Sequence, residues 1–261
     1  MEIEVISDAN LSKVLNSIRI KGHTASYNFC VSGDALRLAN RHKESLPQYL
    51  QAIMKDRTNH DAHYGLAMSY KAMENYEKAL IYFKKANDLL ITVATTMEIG
   101  MCSYALGLYE DAVKHFQAAV KLNPKNYEAL TWLAMAHEEM HEYCMAFFIY
   151  DHIIEKEPSY INAYINKGTL EMSIDQYKEA TGTFAQVIKI NPDFYKAYFG
   201  IGLCFDKMGM YREAKRYYSK FLNLKPNSDT ADFVYARLKK ISSFPIKQKR
   251  LGTVEHLSLV R

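Results

Sequence analysis

Apolar residues recur along most of the chain at intervals of three and four, which places them on one face of an α-helix. Near the C-terminal end, one such face consists of Tyr198, Ile201, Gly202 and Phe205. Gly209 predicts the end of this helix, and a second amphipathic helix follows, with an inner face of Tyr211, Ala214, Tyr218 and Phe221. Pro226 predicts the end of the second helix, because proline cannot continue the backbone hydrogen bonding. The pattern therefore predicts two helices joined by a short turn.

This helix pair recurs with a period of 34 residues. Four of the six prolines lie 34 residues apart, at Pro124, Pro158, Pro192 and Pro226. A column of small residues keeps the same phase, at Gly33, Ala67, Gly100, Ala134, Gly168 and Gly202. An aromatic column in the second helices consists of Tyr49, Phe83, Phe116, Tyr150, Phe184 and Tyr218. Since one hairpin cannot bury its own apolar face, each unit needs neighbours for stability.

The period and its columns resemble the tetratricopeptide repeat, a helix–turn–helix unit. The resemblance covers about residues 26–228 and implies an all-α, right-handed α-solenoid of about six repeats. The predicted repeats are 26–59, 60–92, 93–126, 127–160, 161–194 and 195–228. The first diverges most, because Pro47 lies early in its second helix and His42 and Ser45 replace the aromatic and alanine residues of the other repeats.

The first and last hairpins of such an array each need a capping element that covers their exposed apolar face. Residues 229–241 are predicted to form a C-terminal capping helix, with Ser228 or Asp229 as N-cap. Its buried face is predicted to be Phe233, Ala236, Leu238 and Ile241. Residues 1–25 are expected to contain a short N-terminal capping helix, and residues 242–261 to form a flexible basic tail.

Composition narrows the class of protein. The chain is 49% apolar and 24% charged, which excludes wholesale disorder. No apolar run approaches the roughly 18 residues that a membrane-spanning helix needs. The acidic N-terminus lacks the features of a secretory signal, and the four scattered cysteines are expected to be reduced, so we expect a cytoplasmic protein.

A second apolar stripe on the first helices is not used by the repeat columns. In tetratricopeptide repeat arrays this face lines a concave groove, so the resemblance implies a partner-binding surface there. The apolar members of the predicted groove are Tyr64, Met68, Met97, Met101, Tyr104, Trp132, Met135, Ile165, Met172, Phe199 and Leu203. Asn162 and Asn166 on the same face could hold a peptide backbone, because a side-chain amide both donates and accepts hydrogen bonds. Trp132, Met101 and Met135 are the predicted anchors.

Enzyme chemistry has little support in the sequence. His137 to His141 match H-E-x-x-H, but the repeat phase places His137 in the core and His141 at a turn, so no zinc site is expected. The chain has no Gly-rich phosphate loop and no G-x-S-x-G motif. We therefore expect neither a catalytic residue nor a metal or other cofactor.

Charge and composition leave several binding functions open. Arg212 to Arg261 hold 12 basic and 4 acidic residues, but no nucleic-acid-binding motif accompanies them, so specific nucleic-acid binding is not expected. The lysine, asparagine and arginine clamp with which some tetratricopeptide repeat proteins bind a C-terminal carboxylate is not reproduced. The sequence favours a scaffold or adaptor for a partner peptide or helix. The alternatives are a chaperone that shields apolar segments of several clients, and self-association into a homo-oligomer.

Overall fold

A computed structural model describes residues 24–242; the predicted N-terminal capping helix and basic tail lie outside this range. The described residues form thirteen α-helices and no strand. In chain order they are α1 (Ala25–Leu38), α2 (His42–Lys55), α3 (His60–Ala72), α4 (Tyr76–Leu89), α5 (Val93–Ala105), α6 (Tyr109–Leu122), α7 (Tyr127–Glu139), α8 (Tyr143–Lys156), α9 (Ile161–Ser173), α10 (Tyr177–Ile190), α11 (Tyr195–Lys207), α12 (Tyr211–Leu224) and α13 (Asp229–Ser242). The predicted all-α fold class is confirmed.

The chain divides into two compact units, Met1–Glu157 and Pro158–Arg261. Within the first unit, α1 to α8 pack as four successive hairpins, and α2, α4 and α6 each also contact the following first helix. Within the second unit, α9 to α12 form two hairpins and α13 packs on α12. Each hairpin thus covers the apolar face that its neighbour in the same unit cannot bury alone.

The turn inside every hairpin requires a left-handed residue at the same place. The backbone φ angle lies between 58° and 73° at Asn40, Glu74, Gly107, His141, Asp175 and Gly209. The predicted end of a first helix at Gly209 is confirmed, because α11 ends at Lys207 and Gly209 has a φ of 72°. Only two of the six turns use glycine, the residue that adopts this conformation without steric cost.

The aromatic column fills the space between helices. Its six rings are at most 3% exposed. The small column faces them: a Cβ added at Gly33, Gly100, Gly168 or Gly202 would lie 2.6–2.8 Å from a ring carbon of the aromatic residue in the same hairpin. The close approach of helix to ring is therefore the reason for the small residues.

Each tyrosine of this column has a polar partner for its hydroxyl. The hydroxyl of Tyr49 donates to Asp34 at 2.7 Å and accepts from Arg37 Nε at 3.2 Å. The Tyr218 hydroxyl donates to Asp206 Oδ2 at 3.2 Å. The Tyr150 hydroxyl donates to Glu138, whose pKa is raised by burial. The partners Arg37, Glu138 and Asp206 all lie twelve residues before their tyrosine.

The end helix α13 forms as predicted but buries a different face. Ser228 is its N-cap, since its Oγ accepts from the Ala231 amide at 3.1 Å. The buried residues are Ala231, Val234 and Ile241, whereas Phe233 is 50% exposed. Ala236 is also exposed, and Leu238 is partly buried, so the predicted face was wrong at Phe233 and Ala236.

A salt bridge joins α13 to α11. Arg237 binds the buried carboxylate of Asp206 on α11 through two hydrogen bonds of 2.6 and 2.7 Å. Around the helix, Arg237 lies between the buried positions Val234 and Ile241 and the exposed Phe233, so this salt bridge joins α13 to α11 at the edge of the buried face.

Candidate functional site

In the first unit the predicted stripe is mostly half-buried. Partial exposure is found for Tyr64, Met68, Met101, Tyr104, Trp132 and Met135. Met97 differs, because its side chain is only 7% exposed and belongs to the core. The stripe is thus accessible at most positions, and Met97 is not available to a partner without a movement of its neighbours.

Trp132 is part of an aromatic cluster. Its ring stacks on Phe116, with centroids 6.0 Å apart, and meets Tyr104 edge-on at 5.5 Å. The Tyr104 hydroxyl donates to Glu139 at 3.0 Å, and burial together with this carboxylate raises the pKa of Tyr104. Phe116 is fully buried, so Trp132 supports the fold as well as contributing to the surface.

An ion pair crosses the same face of the first unit. Lys71 Nζ lies 2.5 Å from Glu98 Oε2 and 3.9 Å from the sulfur of Met101. Both charged side chains are largely shielded from water, with exposed fractions of 24% and 15%. The positive charge of Lys71 is therefore already satisfied within the fold.

In the second unit, four of the predicted stripe residues line one cavity. This cleft has a volume of about 410 Å³ and lies between α9, α10, α11, α12 and the start of α13. Its walls contain the predicted residues Ile165, Met172, Phe199 and Leu203. The other lining residues are Thr169, Phe184, Tyr195, Lys196, Gly200, Phe221, Lys225, Ser228 and Thr230. Asn162 is exposed and Asn166 half-buried, and neither belongs to the lining.

Phe199 is the centre of the aromatic wall. Its ring lies 5.5 Å from Phe221, 6.3 Å from Tyr218 and 6.3 Å from Phe233. The sequence pattern predicts only a core role for Phe184 and Phe221, because their columns pack inside the hairpins. In the structure both residues also line the cleft. Lys225, Ser228 and Thr230 line the cleft because α13 begins beside it. The sequence signal for this helix start is the N-cap residue Ser228.

The rim of the cleft is basic. Lys196 and Lys225 are both exposed, and Lys225 Nζ lies 5.9 Å above the Tyr195 ring. No aspartate or glutamate occurs among the described residues that line the cleft. Asp229 and Asp232 occupy the first turn of α13 but are not part of the lining.

The H-E-x-x-H segment is engaged in other contacts. His137 is 7% exposed and its Nδ1 lies 2.6 Å from Glu142 Oε2, while His141 occupies a left-handed turn and contacts the Tyr143 hydroxyl at 2.8 Å. Glu138 accepts from Tyr150. Within residues 24–242, no group of three or more His, Cys, Asp or Glu side chains is arranged to hold a metal ion.

The four cysteines are free thiols. Burial raises the pKa of Cys30, Cys102 and Cys204 to about 12, so these thiols stay protonated and behave as small apolar groups. Cys144 is exposed. None of the helices in the described range combines the length and apolar character needed to span a bilayer.

Comparison with known proteins identifies the repeat. Models described as "Tetratricopeptide repeat" match residues 60–89, 96–126, 161–194 and 195–228. Anaphase-promoting complex subunit 3 of Schizosaccharomyces pombe is 28% identical over 125 residues, which are 48% of this chain and 19% of the relative. The chain thus spans about a fifth of the length of the curated relative that it matches.

Solved structures share the fold. A tetratricopeptide repeat protein from Parabacteroides merdae has a TM-score of 0.65 at 16% identity, covering 90% of this chain and 93% of that one. A chain of the APC/C hetero-tetramer Cut9-Hcn1 has a TM-score of 0.62 at 16% identity, covering 92% of this chain and 47% of that one. Pseudomonas aeruginosa pilF has a TM-score of 0.61 at 15% identity, covering 82% and 97% respectively. At these identities the likeness concerns the fold alone.

Proposed function

The chain belongs to the tetratricopeptide repeat family, whose helix hairpins mediate protein–protein interaction, and from this premise we propose that it is a non-enzymatic binding module for a partner protein. The partner presents a short apolar segment, as a peptide or one face of a helix, to the stripe on the first helices. Its cytoplasmic location stays a prediction.

The cleft of the second unit is the observation that carries this proposal. Its volume of about 410 Å³ lies within the range of roughly 300–1,000 Å³ that is usual for ligand sites. Its walls are mainly aromatic and aliphatic, with a few polar groups at the edge, which is the composition of a site that binds an apolar side chain and fixes its orientation.

A scaffold or adaptor fits this cleft better than a chaperone with many clients. Promiscuous surfaces are rich in methionine, which repacks around different partners, whereas the cleft contains one methionine, Met172, among rings that pack on each other. The Schizosaccharomyces pombe relative is named as a subunit of a complex, which supports a role in an assembly. The chaperone alternative rests on Met68, Met101 and Met135 in the first unit, which are half-buried on the other part of the stripe.

A peptide-display selection against the full chain tests the proposal. Selected peptides are synthesised with a fluorophore, and their affinities are measured by anisotropy for the wild type, Phe199→Ala and Leu203→Ala. Loss of about 2–4 kcal/mol of binding free energy is expected at Phe199 if it is an anchor. Thermal unfolding of each variant reports any loss of fold.

Phe148→Ala is the matched control, because Phe148 is an exposed phenylalanine, 68% accessible, on α8 outside the cleft. It should leave the affinity unchanged. Failure of the selection to enrich any peptide, or equal affinities of the wild type and a folded Phe199→Ala variant, would contradict the proposal.

A further inference from the structure

The residues that line the cleft of the second unit indicate the charge of the ligand that it binds. Its floor is apolar and contains Phe184, Phe199 and Phe221, so a polar occupant would lose its hydration there without compensation. An aromatic or branched aliphatic side chain fits this floor, and the cavity is large enough for one such anchor together with its neighbours along a chain.

The charged groups at the rim have one sign. Lys196 lies in the first turn of α11 and Lys225 directly follows α12, and both line the cleft. Neither ammonium group pairs with a carboxylate in the part of the chain that the structure describes. This differs from Lys71 in the first unit, which is held by Glu98.

The remaining rim groups are compatible with an anionic ligand. Ser228 and Thr230 carry hydroxyl groups that can donate hydrogen bonds to a carboxylate. The lysines flank an apolar floor, so a ligand that is apolar in the middle and negative beside it satisfies both parts of the site. A basic segment would bring like charges together in this cleft, which costs binding free energy.

From this arrangement we infer that the cleft binds an acidic partner segment, in which an aromatic or aliphatic anchor enters beside Phe199 and flanking aspartate or glutamate side chains pair with Lys196 and Lys225. This inference rests on the proposed binding function and adds the chemistry of the partner. The ion pairs lie at an exposed rim, so they contribute selectivity and association rate more than affinity.

The display selection tests this directly. Enrichment of aspartate and glutamate beside an apolar anchor is expected in the selected peptides. Each peptide is then compared with a version in which its carboxylates are changed to the matching amides, and with Lys196→Gln and Lys225→Gln variants of the protein. Each lysine substitution should weaken binding of the acidic peptide by roughly two- to fivefold, and should leave the amide peptide unaffected.

Lys207→Gln is the control for net charge. Lys207 is an exposed lysine on the same helix α11, and it does not line the cleft. The affinity of the acidic peptide should also fall between about 50 and 300 mM salt, whereas that of the amide peptide should change little.

The outcomes separate the inference from the proposed function. Peptides that need Phe199 but are neutral or basic, or that bind the double Lys196→Gln, Lys225→Gln variant as tightly as the wild type, would overturn the inference and leave the binding function standing. Absence of any peptide that depends on Phe199 would remove the proposed function itself.

Discussion

At the scale of single residues, the fit between the small column and the aromatic column is the most sensitive feature. A Cβ on Gly202 would lie 2.6 Å from a ring carbon of Tyr218, and this ring is fully buried and hydrogen-bonded to Asp206. The ring therefore has little freedom to withdraw. Substitutions at this column are expected to act through overpacking.

Gly202→Ala should lower the free energy of unfolding. Overpacking of a core costs about 1–3 kcal/mol, and the better helix propensity of alanine offsets up to about 1 kcal/mol of this loss. We expect a net loss of about 1–2 kcal/mol in urea unfolding. Gly182→Ala is the control: it lies inside α10 with nothing within 4 Å of its added Cβ, so it should gain about 0.5–1 kcal/mol. Equal effects of both substitutions would refute the overpacking argument.

The sequence predicts which residues face inward but not how deeply each side chain is covered. Met97 and Met101 belong to the same predicted stripe, yet only Met97 is buried. Lys71 and Glu98 are 27 residues apart, and their pairing depends on how α3 and α5 lie beside each other. Such contacts arise from the stacking of hairpins, which a helical period alone does not determine.

At the scale of elements, four of the six turns within hairpins place a residue other than glycine in the left-handed conformation. Glu74 adopts a φ of 59° with an exposed side chain, a conformation that costs an ordinary residue about 1–2 kcal/mol. Gly107 and Gly209 adopt the same conformation without this cost. The sequence position of these turns is predictable, whereas the strain at Glu74 is visible only in the backbone angles.

Glu74→Gly should therefore raise the free energy of unfolding by about 0.5–1 kcal/mol, after allowing for the larger entropy of glycine in the unfolded chain. The reverse change, Gly209→Ala, should lower it by about 1 kcal/mol, because alanine is strained at a positive φ. Chemical denaturation of both variants measures the effects. A stability loss in Glu74→Gly would show that the side chain contributes more than the turn conformation costs.

The buried face of α13 differs from the face that the sequence predicts. The amphipathic pattern predicts the helix and its N-cap correctly, but it wrongly predicts that Phe233 is buried. Two apolar faces compete in this segment, and the salt bridge between Arg237 and Asp206 accompanies the face that is buried. The buried or partly buried positions Ala231, Val234, Leu238 and Ile241 recur at helical intervals and are part of the hydrophobic pattern, whereas the pairing of Arg237 with Asp206, 31 residues away on α11, is not.

At the scale of the whole molecule, the period predicted the number and order of the helices within residues 24–242, and α13 is where this regularity stops. In the second unit α13 covers Tyr218, Phe221 and Leu222, which another hairpin would cover inside an array. The same helix neutralises Asp206. The end helix should therefore determine whether the last hairpin is stable.

A chain that ends at Ser228 should lose much of the stability of its second unit. The truncation removes the charge-assisted hydrogen bonds between Arg237 and Asp206, and this carboxylate is then solvated rather than paired. Exposure of the apolar residues beneath α13 adds to this loss. Calorimetry should show a lower melting temperature than for a chain that ends at Ser242, which keeps α13. Equal melting temperatures would mean that α13 does not stabilise the end of the array.

The presence of tyrosine in some hairpins and phenylalanine in others, at the same position of the aromatic column, has a consequence for recombining the hairpins. A hairpin with phenylalanine, such as that of Phe116 or Phe184, brings a ring with no hydroxyl to satisfy. A hairpin with Tyr150 or Tyr218 contains the hydrogen-bond partner of the tyrosine hydroxyl, because Glu138 and Asp206 lie in the first helix of the same hairpin. A whole hairpin therefore supplies the partner of its own tyrosine hydroxyl, whereas a graft of the second helix alone would leave a buried hydroxyl without a partner. The hairpin of Tyr218 must be moved together with α13, because Arg237 pairs with Asp206. The natural cut points for building a chimaera are the junctions between hairpins, four of which carry a proline, and not the left-handed turns within the hairpins.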